Sequence, residues 1–203
     1  MSWVHVDYEN RNWVALPTDE QWDDTPWDDE KDWSVSEAVV LLAYNDLPDK
    51  RRDVKRLAKL LISHRQVFAE SRLARENYLY FSDPSEPPLS IHLWYGPAEG
   101  EREVALRKHA RVESPDAMLP SQVEEFTTKS LGTGLHSRTH VLLDDQTVAM
   151  NLWYAFRSEE HGVDLIAFSS SGDLGRLSAA EPHFNEFVQG IALLGDDVDL
   201  AAE

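Results

Sequence analysis

The sequence predicts an α+β fold, an antiparallel sheet packed with helices and preceded by an N-terminal helical pair at about 34–72. Three observations carry this. The run Thr147–Arg157 alternates Val148, Met150, Leu152, Tyr154 and Phe156, the period of a half-buried strand. Val54, Leu57, Leu61 and Phe68 recur at spacings of three, four and seven, the period of one helix face. Strand-like runs also follow one another directly, with helical runs set between the groups, which is the pattern of an antiparallel sheet with helices laid on it.

Taken in order, residues 3–8 and 13–16 read as two short strands. Pro17–Trp33 follows, with eight acidic residues, one Lys, two Pro and three Trp, and it shows no period, so it reads as a loop. Ser34 and Glu37 have the spacing of a capping box ahead of Val35, Val39, Leu42 and Ala43. Pro48 breaks that helix, because its ring removes a backbone donor. The second helix runs from about Asp49 to Arg72 and carries Lys50, Arg51, Arg52, Lys55, Arg56, Lys59 and Arg65 on its other faces.

Strands resume at Tyr78–Ser82 and Leu89–Tyr95 around a proline-rich turn, and a further strand is expected over Glu103–Val112. Pro120 suits a helix start, with Val123, Phe126 and Thr127 inward and Gly132 as the stop. Leu135–Leu143 and Thr147–Arg157 then form a hairpin. With a two-residue turn at Asp145-Gln146, Leu143 faces Val148, Val141 faces Met150 and Thr139 faces Leu152. A turn at Glu159–Gly162 sets Phe156 opposite Leu165 and Arg157 opposite Asp164. The last helix lies near Pro182, with Phe184, Phe187, Val188, Ile191 and Leu194 as its stripe. Residues 1–194 are expected to form a single α+β domain and 195–203 a disordered acidic tail.

Composition bounds the function. The chain has 203 residues, and a domain of this size hides roughly 70% of the surface its unfolded chain exposes, so no staple is needed. There is no cysteine, which rules out a disulfide scaffold or thiolate metal site and suits a reducing, cytoplasmic setting. The N-terminus lacks the basic and apolar regions of a secretory signal, and the longest apolar stretch, Ala38–Tyr44, is too short to span a bilayer. A formal net charge of −18 disfavours nucleic acid, whose phosphates it repels, and would steer a basic protein partner toward the surface.

The order helix (120–131), three strands, helix (182–194) resembles the PsbP-like family, over roughly Tyr78 to Leu194. Trp13-Val14-Ala15-Leu16-Pro17 is similar to that family's opening strand. Gly132-Thr133-Gly134-Leu135 and His161-Gly162-Val163-Asp164 are similar to a pattern in actinobacterial cytosolic proteins. The resemblance implies an α/β/α sandwich, to which the helical pair at 34–72 is an addition, and a binding or assembly role rather than catalysis.

No P-loop, dinucleotide fingerprint, nucleophile elbow or HExxH occurs, so no catalytic residue, metal or cofactor is expected. Two groups remain. His136, Arg138 and His140 alternate along one strand, with Asn151 and Trp153 opposite His140 and Arg138 and with Phe168 beside Trp153. They would make a cationic, aromatic patch for an anionic ligand, or a sheet face simply covered by helices. His136 and His140 lie about 13 Å apart along a strand, too far to share one zinc.

Trp22, Trp27 and Trp33 in the acidic segment are candidate partner-binding anchors, since Trp is frequent at binding hot spots. The plainer reading packs that segment over the basic helix, carboxylates near Arg51, Arg52, Arg56 and Lys59. A cation site at Asp23, Asp24, Asp28 and Asp29 lacks the spacing and glycine of an EF-hand.

These readings converge on a cytoplasmic, non-enzymatic protein-binding accessory, chaperone- or adaptor-like, with an acidic surface and a protein partner, a basic one by charge. Neither nucleic acid nor membrane is expected, and a homo-oligomer is left open. The alternatives are a small anionic-ligand-binding or enzymatic domain using the His/Arg/Trp face, and an immunity or antitoxin-like protein.

Overall fold

The structure, a computed structural model, describes residues 4–8, 12–19, 22, 25–71 and 74–194. The expected tail at 195–203, along with Asp23 and Asp24, lies outside the described residues. The described residues divide into two compact units, one within 12–90 and the other made of 4–8 and 91–194.

In the first unit, β2 (Trp13–Leu16) pairs antiparallel with β3 (Glu76–Tyr80). Two helices are inserted between them, α1 (Glu30–Tyr44) and α2 (Arg51–Ser71). Val14, Leu16 and Leu79 meet Trp33, Ala38, Leu41 and Leu42 of α1 and Leu57, Ala58 and Leu61 of α2 in one core. The helical pair and the apolar stripe of α2 are therefore as expected.

The start of α1 is not. Asp29 caps it by accepting from Asp32 N at 2.7 Å, so the helix begins within the acidic segment and no Ser34/Glu37 box forms. Acidic side chains in a first turn suit the positive end of the helix dipole, which is why charge that reads as loop composition folds as helix. Ser34 is buried and donates to Lys31 O at 3.0 Å.

In the second unit five strands pair in the order β4-β8-β7-β6-β5. These are β4 (Leu89–Pro97, in this unit from Ile91), β5 (Gln122–Thr128), β6 (Gly132–Leu142), β7 (Val148–Ser158) and β8 (Val163–Ser171), and the β4–β8, β8–β7, β7–β6 and β6–β5 pairings are antiparallel. A separate pair joins β1 (Val4–Val6) to β9 (Ile191–Leu193). α3 (Arg102–His109) packs on β6 and β7, and α4 (Leu174–Gln189) on β5, β7 and β8. Among the described residues no helix is long and apolar enough to cross a membrane.

Three expectations fail here. The segment 103–112 is mostly the helix α3, because Glu101 caps it through Val104 N at 3.0 Å and Arg107, Lys108 and His109 sit at its C-terminal end, where the dipole favours cations. The expected helix 120–131 is instead β5: Val123, Phe126 and Thr127 mimic a helical stripe, but β-branched and aromatic residues fit an edge strand, and Gly132 turns the chain with φ of 73°. The last helix starts at Leu174 under an Asp173 cap, so Pro182 lies inside it. It ends at Gly190, which places Ile191 in β9. A side chain at Gly190 would meet Asp7 O at 2.0 Å, and that close approach explains why the position is glycine.

The β7–β8 register is as expected, with Phe156 opposite Leu165 and Arg157 opposite Asp164. The β6–β7 register is one residue off. Leu143 N donates to Thr147 O at 2.8 Å and closes a three-residue loop, Asp144-Asp145-Gln146, with Gln146 left-handed at φ of 65°. Asp145 fixes that loop by accepting from Thr147 N at 3.0 Å. His140 therefore faces Met150, Arg138 faces Leu152 and His136 faces Tyr154. A one-residue slip exchanges the faces of a whole strand. Met150, Leu152, Tyr154 and Phe156 are buried on the α4 side, so the sheet's greasy face is sealed as expected, but beneath it lie His136 and Arg138 rather than Thr139 and Val141.

Candidate functional site

The slip divides the residues expected to form one patch. His136, Arg138 and His140 lie on the α4 face, while Asn151 and Trp153 lie on the opposite face with Thr139 and Ser137. The two faces have different chemistry.

On the α4 face His136 is buried, stacked on Tyr154 at 4.4 Å and 14°. Its Nδ1 lies 3.0 Å from Glu124 on β5 and its Nε2 3.7 Å from Glu181 on α4. Arg138 also pairs with Glu181 and donates to Gln122 at 3.3 Å. Burial, then the Glu181 carboxylate, pushes the Tyr154 hydroxyl well above its ordinary range, and it donates to Asn185 at 2.8 Å. Glu181 thus pairs with Arg138 and approaches His136, both on β6. The cluster fastens α4 to the sheet, with His136 Nε2 and Arg138 Nε buried and making no hydrogen bond. His140 is half-buried, and its carbonyl accepts from Met118 N at 2.9 Å.

The opposite face carries a ladder of rings across three strands. Trp153 of β7 stacks on Phe168 of β8 at 4.9 Å and 20°, and Phe168 meets His92 of β4 at 4.8 Å. Arg111 lies over the Trp153 ring at 5.4 Å. The cation–π contact expected of Arg138 is thus made by Arg111, which follows α3 in a left-handed conformation at φ of 52°. Reading 103–112 as a strand hid it. Trp153 and Phe168 are half-buried and Arg111 is exposed. Burial lowers the His92 pKa to about 4, so that ring is neutral near pH 7.

Beside the ladder the segment before β5 runs along the edge of β6: Ala117 bridges Val141, and Ser121 Oγ donates to Arg111 O at 3.1 Å. Met118, Leu119, Val123 and Leu143 are exposed in this part of the unit, and Leu142 is exposed on the α4 face. Periodicity did not find Met118 and Leu119, which belong to an irregular segment, and it set Val123 on the inward side of a helix that is in fact β5.

In the first unit Trp33 is fully buried, and Trp22 and Trp27 are half-buried against the core. Arg65 of α2 lies over Trp22 at 4.8 Å, donates to Pro17 O at 3.0 Å and to Glu30 at 2.9 Å, and pairs with Asp19. The acidic segment does fold onto the basic helix, but through Arg65. Arg56 goes instead to Pro84 O at 2.8 Å, and Arg51, Arg52 and Lys59 stay exposed. No three metal-ligating side chains come together among the described residues. No family model and no curated protein matches the chain.

Proposed function

We propose that the protein is a binding accessory that docks a protein partner on the α3 side of its second unit. The observation that carries this is the exposed apolar set Met118, Leu119, Val123 and Leu143 in the unit that carries the Arg111–Trp153–Phe168 ladder, with Val123 in the cross-strand row of Ser137 and Trp153. Exposed apolar clusters of this kind mark interaction surfaces, and anchors of Trp and Arg ringed by apolar contacts resemble binding hot spots. A partner segment that lays an apolar or aromatic side chain on Trp153 and a carboxylate on Arg111 fits this chemistry. The net charge of −18 would steer a partner that is basic as a whole and disfavours nucleic acid. The PsbP-like resemblance implies a role of the same kind.

The test is affinity capture from native lysate at physiological salt with the wild type, Leu119→Asp/Leu143→Asp, Trp153→Ala, and a control, Ser63→Asp. The expected result is one specific partner retained by the wild type and the control and lost by the other two. A partner set that ignores the substitutions at 119, 143 and 153 overturns the reading. A second observation, the cation–π pair itself, suits a small planar anion at the same place; in that case Trp153 fluorescence would respond to such an anion and no protein would be captured.

A further inference from the structure

Along α1 and into α2 the exposed surface of the first unit changes character in three steps. At the N-terminal end of α1 come Asp28, Asp29 and Asp32, all exposed. Next come apolar side chains left in water: Val35, Val39, Val40 and Tyr44 are between 36% and 48% exposed. Asp32, Val35, Val39 and Ala43 succeed one another at spacings of three, four and four, so acidic end and apolar middle share one stripe. After a connection of six residues, 45–50, α2 opens with Arg51, Arg52 and Lys55, exposed together with Lys50 before it and Leu47 in the connection. The basic group lies beside the C-terminal end of α1.

The apolar and basic steps are unfavourable for an isolated chain. From Ala38 to Tyr44, α1 is apolar on every side, as a helix covered on both faces would be. The cations crowd the first turns of α2, the end at which the helix dipole opposes positive charge, while its last turn has no basic residue. Both outward faces turn away from the same core, since the buried residues of α1 and α2 share it.

We infer that this face binds a second copy of the chain, with the two α1 helices antiparallel about a two-fold axis near Val39 and Val40. A two-fold interface must be self-complementary, each patch meeting its mate on the other copy. An order of acidic, apolar and basic along one helix meets that condition when reversed. Asp28 and Asp32 of one copy then face Arg51, Arg52 and Lys55 of the other, twice over, and Val39 and Val40 meet their counterparts. With a rise of about 1.5 Å per residue, α1 spans about 22 Å, long enough to separate the two charged ends. Asp46, Asp49 and Asp53 also lie near the basic end, but against six cations over 50–59 they leave it positive. The antiparallel arrangement sets the two helix dipoles in opposition, which adds to the attraction.

The test measures the mass of the full chain in solution by sedimentation equilibrium or light scattering. The wild type is expected at twice the 23.2 kDa of one chain. Val39→Asp should return the mass of one chain with unchanged far-UV circular dichroism. Two charge-reversed proteins, Asp28→Lys/Asp32→Lys and Arg52→Glu/Lys55→Glu, should each be monomeric, because like charges then face each other at both ends. Mixed in equal amounts, they should regain the doubled mass, since every contact again joins opposite signs. Recovery on mixing also shows that both variants are folded. A wild type that is monomeric at its highest soluble concentration, a dimer indifferent to these substitutions, or a mixture that stays monomeric overturns the inference.

Discussion

Arg157 holds Asp164 with two parallel hydrogen bonds, Nε to Oδ1 at 2.6 Å and Nη2 to Oδ2 at 2.7 Å, on adjacent strands of the second unit. Arg157 also donates to the carbonyls of Glu99 and Gly100, both at 2.8 Å, and His109 reaches Asp164 from α3 at 3.3 Å. Burial pushes the Asp164 carboxyl up, but the hydrogen bonds and charges of Arg157 and His109 more than offset it, and its pKa lies below the usual carboxylate range. Removing one partner of a buried pair leaves the other uncompensated, at about 3–5 kcal/mol. Asp164→Ala should therefore lower the free energy of unfolding by that amount, and urea titration measures it. A loss no larger than that of an exposed pair, under about 1 kcal/mol, would mean that Arg157 finds water in its place.

That pair also marks what was legible in the sequence. Arg157 faces Asp164 as the alternation of β7 and β8 required, because apolar residues pin both strands to a buried face. The β6–β7 hairpin was not legible, because its register depends on whether two or three residues turn the corner, and Asp144-Asp145-Gln146 suits either count until Gln146 adopts φ of 65°. β6 carries His136, Arg138 and His140 where an apolar set would have fixed its face, so nothing in its own composition opposed the slip. Helix ends were misplaced for a related reason: Asp29, Glu101 and Asp173 all act as caps, and each sits in a polar stretch that composition alone describes as loop. The ladder from Arg111 to His92 joins residues from distant strands, and only the tertiary pairing brings them together.

Two titratable groups, half-buried Glu37 and buried His92, pull stability in opposite directions with pH. Burial raises Glu37 on α1 from 4.5 to about 7 and lowers His92 on β4 from 6.5 to about 4. Folded Glu37 keeps a proton that the unfolded chain releases, so its stabilisation is complete below pH 4.5 and is lost as pH rises toward 7. His92 acts in reverse: the unfolded chain takes up a proton below pH 6.5 that the folded ring refuses until about 4, so stability falls on acidification. Each shift corresponds to about 3 kcal/mol, and the two slopes nearly cancel where they overlap. Glu37→Gln should leave a stability that climbs from pH 4.5 to 6.5, and His92→Gln one that declines across the same window. Urea midpoints at several pH values test both, and parallel profiles for the two variants would contradict the assignment.

Gly134 occupies a place that only glycine fits. A side-chain carbon there would lie 2.2 Å from Ala155 O and 2.5 Å from Phe156 Cδ1. The Phe156 ring crosses the β6 backbone at this point, packed edge-on against Phe126 of β5 at 6.2 Å. Backbone on one side and a fully buried ring on the other leave no room for relief. Gly134→Ala should cost about 1–3 kcal/mol, as overpacking does in a filled core, and thermal unfolding will show whether it does. Gly100 is the control: it has φ of 70° but nothing near its missing side chain, so Gly100→Ala loses only the backbone preference, about 1–2 kcal/mol.

Arg65 fastens the acidic segment to α2, and its partners should matter unequally. Asp19 is 81% exposed, so that ion pair competes with water and salt, and Asp19→Ala should change stability by less than about 1 kcal/mol. Glu30 is 29% exposed and lies in the first turn of α1, where its charge also meets the helix dipole, so its removal should cost more. The largest effect belongs to Trp22, whose ring lies under the guanidinium at 4.8 Å and edge-on to buried Trp33 at 6.5 Å. Losing its apolar packing and the cation–π contact together should cost about 3 kcal/mol or more. Arg65→Lys keeps the charge but cannot satisfy Pro17 O, Glu30 and Asp19 at once from a single ammonium, so it should fall between Asp19→Ala and Trp22→Ala. Chemical unfolding of these four variants sets the order, and an Asp19→Ala effect as large as that of Trp22→Ala would show that charge rather than packing holds the segment in place.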